Sequence, residues 1–237
     1  GIDEYFYRYY TRNKTAEEIS RFPLYGGFGS NAYTVENIND IIAKATELGY
    51  LVVYNHPVWS RVSPNMFLGI KGLTGMEIYN HGGYLGGYEE DVGIIYDFML
   101  RDGQKIYCFA NDDNHNLQSP DDSFGGYNMI YAEKLDYDSV FKAIKNGDFY
   151  ASTGAEIKYI AYKDGKIYVG TENAKYIRLT TNGRYSGFVT AENKPLTEAV
   201  FDVANEYITY FRITVKTIDG AKAYSRAYFK TPDGSWE

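Results

Sequence analysis

Leu51-Val52-Val53-Tyr54, running into Asn55-His56-Pro57, is the first of three short apolar segments that each end in polar, metal-competent side chains. Met76-Glu77-Ile78-Tyr79 runs into Asn80-His81, and Ile106-Tyr107-Cys108-Phe109-Ala110 runs into Asn111-Asp112-Asp113-Asn114-His115. All three histidines of the protein lie here. An uninterrupted apolar run is the mark of a strand covered on both faces. In a sheet of parallel strands joined by helices, the C-terminal strand ends meet at one rim, so residues far apart in sequence converge there. That rim is the candidate site.

The flanking chain alternates strand with helix. Thr34 is a sound N-cap, Ile38, Ile41, Ile42, Ala45 and Leu48 follow at helical spacing, and Gly49 stops the helix. After Pro57 an irregular link, Val58 to Leu73, exceeds an ordinary connection and suits a loop over the rim. Gly75 to Asn80 is the second strand, Val92 to Met99 a helix ended by Gly103, and Ile106 to Ala110 the third strand. Tyr127 to Ala132 reads as a fourth strand, and Asp136 or Asp138 caps a helix that ends at Gly147. Such alternation predicts β/α units around a parallel sheet over residues 1–154.

From about Gly154 the pattern changes. Ile157 to Tyr162, a turn at Lys163-Asp164-Gly165-Lys166 and Ile167 to Gly170 read as a hairpin. Phe211, Ile213 and Val215 alternate with Arg212, Thr214 and Lys216, the pattern of a half-buried strand. The one helical candidate is Thr197 to Phe201, so residues 155–237 are expected to form a small antiparallel, β-sandwich-like domain. Before Thr34, Tyr5-Phe6-Tyr7 and Tyr9-Tyr10 look strand-like, Thr15 to Ile19 can open a short helix, and Gly26 to Ser30 reads as a turn.

A net charge of -7 and the absence of any basic run argue against a surface that coats nucleic acid, which needs clustered Lys and Arg to displace counterions. No stretch approaches the ~18 apolar residues of a membrane span. The single Cys108 excludes an internal disulfide framework and reads as a buried, inert thiol. The sequence starts at Gly1 rather than Met, which hints at a processed start, so the missing leader pattern says little about compartment; the cytoplasm is the expectation, with a processed or exported form open.

At the rim, Asp113 and His115 form Asp-x-His just past a strand end and offer a carboxylate oxygen and an imidazole nitrogen to zinc, manganese or iron. His56 reads either as a hydrogen-bonded core residue or as a ligand. Glu77 lies inside an apolar strand, where a carboxylate is costly unless paired, hydrogen-bonded or metal-bound; it is an orienting group, a ligand, or outward-facing. His81 ranks below His56, and Asp112 can orient His115 or His56 from behind. Asp121 and Asp122 read as a solvated turn after Pro120. Arg61 and Lys71 in the long link are the candidates for holding an anionic substrate.

Asn55-His56-Pro57 after a strand, Gly75 to Asn80, Asn111 to His115 and the run Phe141 to Gly154, FKAIKNGDFYASTG, resemble in this order the PHP family of metal-dependent phosphoesterases. The family is named for polymerase and histidinol phosphatase. The resemblance covers about residues 40–155. It implies a partial or distorted (β/α)7 barrel followed by the small β domain, with His56, Asp113 and His115 as ligands of a divalent metal and a small phosphate ester as substrate. The family's N-terminal His-x-His set has no counterpart, because no histidine precedes Asn55. The metal site is therefore incomplete as written. The chain is a piece of a longer phosphoesterase, a degenerate member, or one completed by another polypeptide. The reading from a different class is a non-catalytic module that binds a glycan or a protein.

Overall fold

In a computed structural model the described residues are Thr15, Glu17, 34–115 and 121–237. The readings of the first 33 residues, Thr15 and Glu17 apart, lie outside them. No helix among the described residues is long and apolar enough to cross a membrane.

Helix α1 (Val35–Glu47) starts at Thr34, whose hydroxyl accepts the Asn37 N–H at 3.3 Å, and gives way to Gly49 at φ +85°. Strand β1 (Val53–Tyr54) is shorter than its apolar run and only half-buried, and among the described residues it forms one edge of its sheet. The long link carries a short helix, α2 (Pro64–Gly69). Strand β2 (Gly75–Asn80) is buried at every position. Next come α3 (His81–Leu85), α4 (Gly93–Arg101) and β3 (Tyr107–Asn111). β1, β2 and β3 lie side by side in that order, all parallel.

Among the described residues the parallel sheet ends there, and the expected (β/α)7 barrel does not form. The described chain is 36% strand against 22% helix, so β structure dominates. Asn128 is the physical reason at the outer edge of β3. Its side chain donates to the Ala110 carbonyl at 3.0 Å and accepts the Ala110 N–H at 3.1 Å. One amide thus occupies the ladder positions that a fourth parallel strand would use. The strand that carries Asn128, β4 (Tyr127–Ile130), instead pairs antiparallel with β5 (Phe149–Ser152) across α5 (Tyr137–Asn146). α5 is capped by Asp136, which accepts the Ser139 N–H at 2.8 Å, and stops at Gly147, φ +76°.

β4 and β5 open a nine-stranded sheet. It continues through β6 (Ile157–Lys163), β7 (Lys166–Thr181), β8 (Ser186–Thr190), β9 (Leu196–Asp202), β10 (Tyr210–Thr217), β11 (Lys222–Ser225) and β12 (Tyr228–Phe229). The helix expected near Thr197 is strand β9, since its residues alternate against β7. β7 is the spine: its first half pairs with β6 and β9, its second with β10 and β8. An irregularity between Gly170 and Ala174, with Asn173 at φ +54°, lets one strand bend to serve both sets.

Two apolar cores result. One lies under α1, α2 and α4 against β2 and β3, and takes in Ala151, Tyr210 and Tyr224 from the large sheet. The other fills the curl of that sheet with Ile167, Val169, Ile177, Leu179, Phe211, Ile213 and Val215. β10 is buried on both faces where alternation predicts one, because α4 covers its polar side. There the guanidinium of Arg212 meets Asp97 of α4 in a two-pronged pair at 2.6 and 2.8 Å.

Candidate functional site

The C-terminal ends of β1, β2 and β3 converge on Glu77. Its Oε2 accepts the His56 N–H at 2.8 Å and the Asn80 amide at 2.9 Å, and its Oε1 accepts the Asn111 amide at 2.8 Å. Glu77 is 3% exposed, so these three donors are what make a carboxylate tolerable there. One side chain thereby fixes the exits of three strands. A break in the β2–β3 register between Glu77 and Tyr79 accompanies this inward turn.

Beyond Glu77 opens a cavity of about 370 Å³ whose walls include His56, Trp59, Asn80, Asp113, His115 and Asp122. His56, at φ +32°, has its Nδ1 engaged by the Ser60 hydroxyl at 2.8 Å and its ring edge-on to Trp59. His115 has its Nδ1 2.6 Å from the Asp113 carbonyl. A carbonyl only accepts, so Nδ1 carries the proton and a neutral ring presents a lone pair at Nε2. Asp113, at φ +51°, accepts from the Asn80 amide at 3.3 Å.

The remaining predicted residues lie elsewhere. Asp112 accepts the backbone N–H groups of Phe124, Gly125 and Gly126 at 2.6, 2.7 and 2.8 Å, so it fixes that loop and neither imidazole. His81 shares a hydrogen bond with Tyr79 Oη at 2.9 Å and packs on Gly125, where an added Cβ would come within 2.2 Å of three ring atoms. Burial pushes the Tyr79 hydroxyl up to about 12, helped by nearby Tyr84, Asp91 and Asp112. Arg61 and Lys71 are exposed, and neither lines the cavity. Lys71 precedes β2 and so sits toward the opposite rim.

Two acids escaped the sequence reading. Asp122 is not part of a solvated turn: it is 2% exposed, lines the cavity, and accepts the His115 N–H through Oδ2 at 2.7 Å. Its buried Oδ1 has no partner among the described residues. Glu90 is fully buried and accepts the Trp59 N–H through Oε1 at 2.5 Å, while its Oε2 is likewise unpartnered. Burial raises the pKa of Glu90 against the lowering pull of the Trp59 and Val58 N–H groups and His56, and Glu77 adds to the rise. Gly83 makes room, since a Cβ there would stand 2.7 Å from Glu90 Cγ. The run Tyr88-Glu89-Glu90-Asp91 was the only trace of this in the sequence.

The cavity's lining thus carries two aspartates and two histidines, and no Lys or Arg. Its donor chemistry suits a cation: an orphaned carboxylate oxygen, a second carboxylate and an imidazole nitrogen. The donors do not form a closed cage, for among the described residues no three His, Cys, Asp or Glu side chains gather closely enough to hold a metal ion.

No family model and no curated protein matches the chain. Among solved structures, a two-domain protein from Bacteroides vulgatus, described as containing a predicted PHP-like metal-dependent phosphoesterase, aligns with 84% of this chain and 69% of its own. The identity is 14% and the TM-score 0.38, a likeness too loose to carry any conclusion.

Proposed function

We propose that the cavity takes a hydrated divalent cation and that the chain is a PHP-like phosphoesterase domain acting on a small phosphate ester. The observation that carries this reading is Asp122, which presents a buried, unpartnered oxygen beside His115 in a cavity whose lining carries two aspartates and two histidines but no Lys or Arg. An anionic substrate entering alone would meet two aspartates there and no guanidinium or ammonium to hold it. With fewer than three His, Cys, Asp or Glu side chains gathered at any one point among the described residues, the cation would keep much of its water, in the manner of magnesium or manganese rather than of a zinc cage. Bound there, it would supply Lewis-acid polarisation of a phosphoryl oxygen.

The chain's own contribution is positional. Glu77 holds the three strand ends, Asp122 and the Asp113 carbonyl fix the backbone and ring of His115, and Trp59 walls one side. With its proton held on Nδ1, His115 turns the Nε2 lone pair to the cation as the imidazole donor.

One observation favours a second reading, a non-catalytic module for a glycan: Trp59 is 55% exposed and lines the cavity with Tyr88, as a sugar-stacking wall would. Manganese titration followed by elemental analysis separates the two. Wild type and His81→Ala are expected to take up manganese and hydrolyse bis(p-nitrophenyl) phosphate, with uptake and rate falling at least tenfold, roughly the scale of a lost supporting partner, in His115→Ala and Asp122→Asn. Equal uptake in all four proteins would remove His115 and Asp122 from the site, and glycan binding without metal would establish the second reading.

A further inference from the structure

On the other side of the 88–92 segment lies a groove of about 690 Å³ between α4 and the polar face of the large sheet. Its makeup is the reverse of the cavity's. Five basic side chains line it against two acidic ones, in a protein whose net charge is -7.

The β register explains the array. On β7, Ile177 and Leu179 point into the second core, so Tyr176, Arg178 and Thr180 share the opposite face. Arg178 stands across from Thr214 and Thr180 across from Arg212 on β10, while Thr214 stands across from Tyr224 on β11. Two of the five cations are already neutralised: Arg212 by Asp97, and Lys222 by Asp91. Among the described residues Arg101, Arg178 and Arg184 are in no ion pair.

Arg178 is also held in place. Its guanidinium lies 5.2 Å from the Phe188 ring centroid and 5.8 Å from that of Tyr176. The two rings place the cation within cation–π range, and no carboxylate pairs with it among the described residues. Arg212, 5% exposed, is fixed between Asp97 and Thr214, so the floor of the groove is rigid and its charge permanent. Thr180 and Ser186 add neutral hydroxyls at the wall, while the Asn182 amide is spent on the Tyr207 carbonyl and the Thr209 N–H. Planar, forked donors arranged with hydroxyls match phosphoryl oxygens, and the volume is that of a small organic ligand.

We propose that this groove is a binding site for a small organic anion bearing two or more phosphoryl groups, held by Arg178, Arg184 and Arg101 over the Arg212 floor. The site is independent of any metal in the cavity.

The test is calorimetric titration of metal-stripped protein, in chelator-free buffer at fixed ionic strength, with tripolyphosphate. Wild type and His115→Ala are expected to bind it saturably and alike. Arg178→Gln/Arg184→Gln, at two exposed positions, is expected to keep its thermal midpoint and bind at least tenfold more weakly; Arg101→Gln should weaken binding by a smaller factor. Absence of saturable binding to wild type, or undiminished binding to the double variant, overturns the proposal. Binding of a sulfated oligosaccharide with no response to tripolyphosphate would overturn the ligand class in favour of a glycan.

Discussion

At the scale of single residues, the arrangement rests on buried charges that are each answered by a specific partner. Arg212 and Asp97 tie the large sheet to α4 with both groups under a tenth exposed. Removing one partner strands the other in a low-dielectric interior. Asp97→Ala is therefore expected to cost about 3–5 kcal/mol in urea unfolding, whereas Asp97→Ala combined with Arg212→Met should recover a large part of that loss. A double variant no more stable than the single one would show that the pair matters for its hydrogen bonds to Gly93 and Thr214 more than for its charge. The same principle explains what was illegible at this scale. Glu77 is recognisable in the sequence as an acid inside an apolar strand, but its three donors arrive from residues 21, 3 and 34 positions away. Asp122 looks like a solvated turn residue because its partner, the His115 N–H, has no local signature.

At the scale of elements, local chemistry was readable and pairing was not. Thr34 and Asp136 cap their helices, and Gly49 and Gly147 follow the helix ends at positive φ, as side-chain and backbone preference alone dictate. The partner of β3 depends instead on Asn128, 18 residues beyond Ala110, whose amide closes the strand's edge. A strand-helix rhythm says that elements exist; it does not say which edge stays open. Asn128→Ala should leave the Ala110 N–H and C=O without their described partner, cost about 1–3 kcal/mol, and raise amide exchange at Ala110 ahead of its neighbours. Unchanged exchange there would mean that β4 seals the edge without the side chain. The rim itself was legible for a simpler reason: His56, Asp113 and His115 all follow strands of one parallel sheet, whose C-terminal ends must coincide.

At the scale of the whole molecule, the buried thiol and the buried tyrosines Tyr79 and Tyr210 make stability sensitive to alkali. Burial pushes Cys108 from 9.0 to about 12, and Tyr79 and Tyr210 from 10.0 to about 12. Between those values the unfolded chain gives up protons that the folded chain keeps. Stability is thus complete below about pH 9 and falls as pH rises toward 12. Thermal midpoints should hold to pH 9 and drop progressively by pH 11, with Cys108→Ala removing the earliest part of the fall; a flat profile would mean that these groups reach solvent. A last consequence concerns time. β5 lies between β4, a near neighbour, and β11, whose first residue follows it by seventy positions. During synthesis the β11 side of β5 must wait unpaired until Lys222–Ser225 leave the ribosome, and the core beneath, which borrows Tyr210 and Tyr224, waits with it. The late-made strands therefore set the tempo for the first half of the protein, and a pause in translation before residue 222 is the interval in which a chaperone has most to do.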